Sequence, residues 1–208
     1  MTIAREGWPH IFILLALGGV LLLLRFHWVG GIFVVLGLFT TFFFRDPERK
    51  VPQDPRLVVS PADGKVVQVM PAPPGSPLGA GAQQISIFLS VFDVHINRAP
   101  IAGRVAKVEY HKGEFLPAFD HKASTRNEQN TVTIQEGETR VVFKQIAGLI
   151  ARRIVFAKRV DEPVARGERV GMIKFGSRVD LFLPAEFKVT VKEGDRVAGG
   201  VSVLGERQ

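Results

Sequence analysis

The sequence predicts a mainly β protein, in which a single β-rich domain follows an N-terminal pair of apolar helices. Three features support this fold class. Two apolar runs occupy the first part of the chain, short β-branched runs separated by glycine and proline fill the rest, and one strand–turn–strand pattern occurs twice near the C-terminus. A length of 208 residues suits one hydrophobic core with a small appendage.

The two apolar runs, residues 11–24 and 29–44, predict a membrane-anchoring helical hairpin. Each run is shorter than the roughly 20 residues that a straight membrane span needs, and Arg25 separates them. Residues 1–50 are therefore the predicted anchor, with Arg25 and His27 at its turn. Spanning and re-entrant forms of the hairpin both stay open, and a hairpin buried in a protein core is the alternative.

The charges that flank this hairpin predict that the following domain, residues 51–208, lies on the cytoplasmic face of a cell membrane. Under the positive-inside rule, basic side chains mark cytoplasmic ends. The flanking basic residues are Arg5, Arg45, Arg49 and Lys50. A cleaved signal peptide is not expected, because no small-x-small cleavage site precedes a mature-looking start.

The chain is basic, with 27 Lys and Arg against 20 Asp and Glu and a net charge of +7. Each Lys or Arg close to a bilayer surface strengthens binding to anionic lipid head groups by on the order of 1 kcal/mol. The basic residues are scattered, and no basic stripe interleaved with aromatic residues is present, so nucleic acid is not an expected partner. The absence of cysteine excludes disulfides, thiolate metal sites and a cysteine nucleophile.

From residue 45 onward, alternating apolar and polar residues with many β-branched side chains predict strands. The predicted strands are 57–59, 65–69, 85–89, 105–110, 131–134, 140–143, 170–174 and 179–183. A helix over residues 146–155 is also considered, although Gly148 weakens it. The polar stretch 118–130 reads as a solvated loop, with the border of a site as the alternative.

Residues 163–173 and 190–204 share a pattern of apolar residues, a Gly-acidic-Arg-Val turn and a second glycine. Each copy predicts a strand, a tight turn and a strand. The pattern resembles the lipoyl/biotinyl carrier hammerhead, but neither copy has a modifiable lysine at the hairpin tip. A non-enzymatic membrane adaptor built on such hairpins is the alternative function. It would usually carry long coiled-coil heptads, which this sequence lacks.

A Gly176–Ser177 pair lies between the last two predicted strands, and alone it reads as a bend eased by glycine. Three upstream motifs change this interpretation: FFFRDPER at 42–49, SPADGKV at 60–66 and FLSVFDVHINRAP at 88–100. Together with GMIKFGSRVD at 171–180, they resemble, in the same order, the motifs of the phosphatidylserine decarboxylase family. The chain length and the paired apolar runs are similar to the short bacterial branch of that family.

This resemblance implies a proenzyme that cleaves itself between Gly176 and Ser177. The serine hydroxyl attacks the preceding carbonyl to give an ester, β-elimination releases the upstream chain, and loss of ammonia leaves a pyruvoyl group derived from Ser177. This covalent pyruvate cofactor is the electron sink when phosphatidylserine loses carbon dioxide and becomes phosphatidylethanolamine. Neither pyridoxal phosphate nor a metal is implied.

The implied partners are phosphatidylserine in an anionic membrane and, for the small chain 177–208, the large chain 1–176. A fragment as short as 177–208 cannot hold a core alone, so it is expected to stay within the sheet after cleavage. The sequence leaves the oligomeric state open, a homo-oligomer included.

The same resemblance implies a Ser–His–Asp arrangement of Ser177, His95 and Asp63. Other members carry a second histidine three positions after the one that matches His95, where this chain has Arg98. The division of roles between His95 and Arg98 therefore stays open, and Arg98 is a candidate for binding the phosphate or carboxylate of the substrate. The alternatives are a turn residue for Asp63 and a core histidine for His95.

The remaining titratable residues are weaker candidates for a direct role. His111 follows a predicted strand, and His121 lies in the polar stretch. Structural pairing is the expected role of Asp46, Asp93 and Asp180.

Overall fold

The computed structural model describes residues 2–118, 120, 122–149, 153–174 and 176–208. They fall into two compact units, Met1–Glu48 and Arg49–Gln208. The assignment of an anchoring role to residues 1–50 and a catalytic role to 51–208 stays a prediction.

The first unit is a pair of apolar helices joined by a short turn, with a two-stranded sheet at the ends. Its elements are β1 (Thr2–Ile3), a 3-10 turn (Arg5–Gly7), α1 (Trp8–Leu23), α2 (His27–Phe43) and β2 (Arg45–Asp46). Arg25 occupies the turn with a left-handed φ of 63°, and His27 begins α2. The predicted N-terminal helical pair is thus confirmed.

Within the described residues, one helical stretch, Arg5–Leu23, is long and apolar enough to cross a membrane. It has 19 residues, and only 17% of its most apolar window is buried within the protein. The second helix, His27–Phe43, is apolar but shorter. The side chains of both helices therefore present a largely exposed apolar surface, including Phe12, Leu23 and Trp28.

The second unit is built almost entirely from strands. Its elements are β3 (Leu57–Val59), β4 (Gly64–Pro71), β5 (Gln83–Leu89), β6 (Ile96–Arg98), β7 (Gly103–His111), α3 (Ala123–Arg126), β8 (Gln129–Glu136), β9 (Thr139–Ile146), β10 (Ile154–Phe156), β11 (Pro163–Val164), β12 (Arg169–Ile173), β13 (Ser177–Leu183), β14 (Phe187–Val189), β15 (Arg196–Val197) and β16 (Val203–Arg207). The mainly β prediction is confirmed, and each of the eight strands predicted by residue range overlaps an observed one. The strand predicted before the turn of the second repeat is wrong, because residues 190–192 lie between β14 and β15 and belong to neither.

An eight-stranded antiparallel sheet organises this unit, in the order β11–β7–β8–β9–β13–β5–β4–β15. Two smaller sheets, β10–β12–β6 and β14–β16–β3, pack with it around one core. Fully buried side chains such as Ile87, Phe143 and Leu181 form that core, and the burial of each stabilises the fold by about 1.5–3 kcal/mol. Strand β13 lies in the middle of the main sheet, between β9 and β5, and all seven of its residues are buried.

The repeated C-terminal pattern forms two turns with the same hydrogen bonds. In each turn a glycine and the acidic residue after it exchange backbone hydrogen bonds with one residue of a distant segment. The bonds are Gly167 N to Ala99 O (2.8 Å), Ala99 N to Glu168 O (2.8 Å), Gly194 N to Val66 O (2.8 Å) and Val66 N to Asp195 O (2.9 Å). The strands of the first copy do not pair with each other, because β11 joins β7 while β12 joins β6 and β10.

The helix considered over residues 146–155 is wrong. Ile146 ends β9, and Ile154 begins β10. Ile146 is held by β8 and β13, and Ile154 and Val155 are held by β12, so strand pairing at both ends overrides the local helix signal. Residues 150–152 lie outside the described residues.

Candidate active site

Ser177 is the first residue of β13 and pairs with Leu89 of β5. Its side chain is completely buried. Within the described part of the chain, its hydroxyl oxygen Oγ has no hydrogen-bond partner. A buried hydroxyl without a partner is uncommon, because its desolvation is uncompensated, and such a group often has a chemical task.

Gly176, directly before this serine, has a φ of 60°. This left-handed conformation strains most residues other than glycine. A side chain at Gly176 would meet no atom within 4 Å, so the glycine is needed for its backbone conformation and not for space. The chain thus enters β13 through a sharp backbone change at the Gly176–Ser177 peptide.

His95 lies between β5 and β6 and is fully buried. Its ring atom Nε2 is 3.2 Å from the amide nitrogen of Gly176, and Nδ1 is 2.9 Å from the carbonyl oxygen of Asp93. An amide can only donate, so Nε2 accepts and carries no proton. The ring proton therefore lies on Nδ1 and is donated to the Asp93 carbonyl. A neutral imidazole thus turns its unprotonated nitrogen towards the residue that precedes Ser177.

The side chain of Asp93 shapes the loop that carries His95. Its Oδ2 accepts hydrogen bonds from the amide (2.8 Å) and the hydroxyl (2.7 Å) of Ser90. Its Oδ1 pairs with Arg196 at 3.0 Å. The amide of Ile173 donates to the carbonyl oxygen of His95 at 3.3 Å, which fixes the backbone of the histidine as well. Asp93 thus forms an ion pair with Arg196, as expected for a structural residue. Its backbone carbonyl also orients His95, and the sequence gives no indication of that contact.

Asp63 belongs to a separate set of contacts. Its Oδ2 pairs with Arg49 at 2.6 Å, and its Oδ1 accepts from the amide of Gly199 at 2.8 Å. Burial raises the pKa of the Asp63 carboxyl, against the lowering effects of the Gly199 hydrogen bond and of Arg49. Both ring nitrogens of His95 are engaged elsewhere in this arrangement, so the contacts described for Asp63 and for His95 do not join them.

Arg98 is buried at the end of β6. Its Nη1 donates to the carbonyl oxygen of Gly167 at 2.9 Å, and its amide donates to the carbonyl oxygen of Pro61, two residues before Asp63. A side chain added at Gly200 would lie 2.9 Å from Arg98 Cδ, and one at Gly199 would lie 3.2 Å from Asp63 Oδ1. Asp63 and Arg98 therefore lie beside consecutive residues of one turn.

A buried ion pair follows Ser177 on β13. Arg178 Nε is 2.6 Å from Asp180 Oδ1, and both side chains have at most 1% exposure. Arg178 also donates to Gln68 and Ser86, and the other Asp180 oxygen accepts from Gln84 and Ser124. Asp180 is therefore the structural pairing partner that the sequence suggested, and the hydrogen-bond partners of this ion pair come from three other elements, β4, β5 and α3.

Two further residues contribute here, one in contact with Gly176 and one behind that contact. The sequence assigns neither to the site by name, although the polar stretch 118–130, which contains Asn127, is considered as the border of a site. Gly148 packs against the carbonyl oxygen of Gly176. Asn127, which is buried, donates to the carbonyl oxygen of Ala147 at 2.7 Å. A glycine outside a motif and an asparagine in a polar stretch carry no signal that separates them from ordinary loop residues.

His111 is exposed at the end of β7, where it lines a polar pocket of about 460 Å³ together with Lys112, Arg126 and Lys144. The other weak candidate, His121, lies outside the described residues. No three His, Asp or Glu side chains of the described chain converge as metal ligands would. The structure thus brings together His95, Gly176 and Ser177, with Asp63 and Arg98 at a neighbouring turn.

Comparison with known proteins gives one consistent family. The profile described as phosphatidylserine decarboxylase matches residues 36–205. A phosphatidylserine decarboxylase proenzyme of Solibacter usitatus is 53% identical over 84% of this chain and 81% of its own length. Proenzymes of the same name from Symbiobacterium thermophilum and Carboxydothermus hydrogenoformans are 47% and 43% identical, over 98% and 99% of this chain and 94% and 96% of their own lengths.

Proposed function

The chain belongs to the phosphatidylserine decarboxylase family, whose members are lyases, and from this premise we propose how its own residues carry out the activity. The protein is a proenzyme that cleaves itself between Gly176 and Ser177 and then decarboxylates phosphatidylserine to phosphatidylethanolamine and carbon dioxide. The single observation that best supports this is the buried, unpartnered hydroxyl of Ser177 beside a glycine whose amide is bound by a neutral His95.

The first step of self-cleavage is an acyl shift from nitrogen to oxygen. The Ser177 hydroxyl gives up its proton and its oxygen bonds to the carbonyl carbon of Gly176. The peptide C–N bond then breaks, and the proton passes to the amine of residue 177. His95 Nε2, which is unprotonated next to Gly176, is the base that takes and returns this proton.

The second step is β-elimination. A base removes the proton on Cα of residue 177, the Cβ–O bond breaks, and Gly176 leaves with a carboxylate. The remaining dehydroalanine tautomerises to an imine, takes up one water molecule and loses ammonia. These steps convert residue 177 into a pyruvoyl group at the N-terminus of β13.

The residues around Ser177 fit such a group. The side chain of Ser177 is buried, and its hydroxyl has no competing hydrogen bond within the described residues. Strand β13 is held on both sides, by β5 and by β9. The pyruvoyl group would supply an electron sink, which accepts the electron pair of the C–C bond that breaks when carbon dioxide leaves. The chain's own contribution is to exclude water, to keep the new N-terminus in the sheet and to hold His95 as a proton acceptor.

Arg98 and Asp63 have the roles that their chemistry allows. Arg98 carries a planar guanidinium that suits the phosphate or carboxylate of the substrate, although one of its nitrogens already serves the Gly167 carbonyl. Asp63 would complete the Ser–His–Asp arrangement that the family resemblance implies if its carboxylate left Arg49 and paired with His95 instead. In the arrangement described above, the Asp93 carbonyl orients His95, so Asp63 acts at most indirectly at that stage.

The N-terminal helices are the membrane anchor in this proposal. The apolar stretch Arg5–Leu23 supports attachment to a cell membrane, and the basic residues that flank the helices favour a cytoplasmic position for both ends. Phosphatidylserine then keeps its acyl chains in the anionic bilayer while its head group enters the site. A homo-oligomer stays compatible with this arrangement.

Intact mass measurement on the purified, denatured protein tests the proposal, with Ser177→Ala as the control. We expect two chains that separate after Gly176 in the wild type and one uncut chain in the control. The smaller chain is expected to lack a free α-amine and to react with hydroxylamine at its ketone. A single uncut wild-type chain with an unmodified serine, from folded material in a membrane extract, would overturn the proposal.

A further inference from the structure

Gly148 lies against the carbonyl group that self-cleavage attacks. A Cβ atom at this position would be 2.3 Å from the Gly176 carbonyl oxygen and 3.3 Å from its carbonyl carbon. The φ angle of Gly148 lies outside the left-handed region, so space alone excludes a side chain here. This contrasts with Gly176, where a side chain has room but the backbone conformation opposes it.

The position of Gly148 is fixed by its neighbours. Asn127 donates from its Nδ2 to the carbonyl oxygens of Ala147 (2.7 Å) and Leu116 (2.8 Å), and its Oδ1 accepts from the Leu116 amide (3.0 Å). The Ala147 amide donates to Glu128 at 2.9 Å. The amide and the carbonyl of Ala147 are thus both hydrogen-bonded. Gly148, the next residue, therefore has little freedom to move away from the Gly176 carbonyl.

We propose that Gly148 is a positioning residue for self-cleavage, in which its missing side chain sets the place of the Gly176 carbonyl relative to the Ser177 hydroxyl. The inference rests on the proposed function and adds a residue to its first step. The hydroxyl must approach the carbonyl carbon closely and at a defined angle. A methyl group at residue 148 would push the carbonyl oxygen by about 1 Å to reach ordinary van der Waals separation.

Gly148→Ala is the direct test, and Gly171→Ala is its matched control. At Gly171, a Cβ atom would also lie 2.3 Å from a carbonyl oxygen, that of Val155, and its φ is likewise outside the left-handed region. Both substitutions therefore introduce a clash with a carbonyl oxygen at the same distance, and at Gly171 the added Cβ would also lie 2.9 Å from Gln145 Nε2. Only the substitution at Gly148 involves the carbonyl that is attacked. We expect cleavage of the Gly148→Ala proenzyme to be slower by about 100-fold, an effect that a 1 Å misplacement of reacting groups can have.

Hydroxylamine separates a lost acyl shift from a lost β-elimination. At neutral pH it cleaves the ester formed by the acyl shift, so cleavage at 176–177 that leaves an unmodified serine N-terminus reports ester formation. We expect the ester to be trapped in the wild type and in Gly171→Ala but not in Gly148→Ala. Equal impairment of both variants, or a folded Gly148→Ala protein that cleaves at the wild-type rate, would overturn the inference.

A second substitution tests the geometry itself. The added methyl group would also lie 3.1 Å from Ala118 Cβ. Ala118→Gly in the Gly148→Ala background gives residue 148 room to retreat, so partial recovery of cleavage is expected, and its absence would count against the inference. If Gly148→Ala does not fold, Asn127→Ala releases the Ala147 carbonyl without a clash. An undiminished cleavage rate in that variant would overturn the inference.

The controls distinguish this inference from the proposed function. If the wild type is not cleaved, the proposed function fails. If the wild type is cleaved and Ser177→Ala is not, while Gly148→Ala cleaves normally, only the positioning role of Gly148 fails.

Discussion

At the scale of the residue, two hydrogen bonds determine which ring nitrogen of His95 carries the proton. The Gly176 amide and the Asp93 carbonyl are opposite hydrogen-bonding groups, and together they select a neutral ring with its proton on Nδ1. A doubly protonated ring would lose the contact with the amide. A backbone carbonyl thus holds Nδ1 of the proposed base in this arrangement.

His95→Gln tests this role. Glutamine can keep a hydrogen bond to the Gly176 amide but cannot take up a proton, so we expect self-cleavage to slow by about 10²–10⁴-fold while the fold persists. The time course of the two chains on denaturing gels measures the rate. His111→Gln, at the exposed end of β7, is the matched control and is expected to cleave normally. Normal cleavage by His95→Gln would show that another group is the base.

Asp63 gives a prediction about pH, because burial raises the pKa of its carboxyl above the ordinary value of 3.8. Between pH 3.8 and the raised pKa, the Asp63 carboxyl is protonated in the folded state and ionised in the unfolded state. The free energy of unfolding therefore falls as the pH rises from 3.8 through the raised pKa, and then levels off. Asp63→Asn does not titrate, so its stability relative to the parent protein should increase over the same range.

Chemical denaturation in detergent at several pH values, followed by circular dichroism, measures this difference. Both proteins carry Ser177→Ala, so that cleavage does not differ between them. Asp54→Asn is the control with the opposite sign, because Arg56 lowers the pKa of Asp54 to about 2. Its contribution, although weakened by exposure, grows between about pH 2 and pH 3.8 and is constant above that range. If the parent protein gains stability over Asp63→Asn as the pH rises, Arg49 and Gly199 outweigh burial.

At the scale of the element, β13 combines two kinds of face. Val179, Leu181 and Leu183 join the apolar core, whereas Arg178 and Asp180 point to the opposite face and are buried there with their hydrogen-bond partners. The strand that begins at the cleavage position is thus held by apolar packing on one side and by charge pairing on the other.

Asp180→Asn tests the second kind of contact. It removes one charge of a buried pair and leaves the Arg178 guanidinium uncompensated, so we expect the free energy of unfolding to fall by about 3–5 kcal/mol. The measurement is again chemical denaturation in the Ser177→Ala background. Glu109→Gln, in the exposed pair with Lys107, is the control and should change stability little. A small effect of Asp180→Asn would mean that the amide satisfies Arg178 as well as the carboxylate does.

These elements also mark how far the sequence alone could predict the structure. Alternation of apolar and polar residues placed the strands, and the ordered motifs pointed to His95 and Ser177, because both signals are local in the chain. The partners of Asp180, namely Gln84 and Ser124, are distant in sequence, and Gly148 and Asn127 matter only through the fold that brings them to Gly176. The Asp93 carbonyl could not be predicted, since every residue has one.

At the scale of the whole molecule, the second of the two repeated turns links the two chains that cleavage would produce. The turn at Gly194 bonds to Val66 of the large chain, and Arg196 pairs with Asp93 on the loop of His95. The small chain thus supports the histidine as well as carrying Ser177. Cleavage then removes one peptide bond without removing the contacts that build the site.

The last prediction concerns this association. Strand β13 pairs with β5 and β9, β15 pairs with β4, and β16 pairs with β3, so three strands of residues 177–208 lie against the large chain. We expect both chains of the cleaved protein to co-elute in mild detergent at the volume of uncut Ser177→Ala. After denaturation and dilution, the uncut control should refold, whereas the cleaved protein should recover poorly and in a concentration-dependent way, because its chains have lost the high effective concentration of a single chain. Mass spectrometry of the eluted peak identifies the chains, and a small chain that elutes separately without denaturant would show that these strand pairings do not hold it.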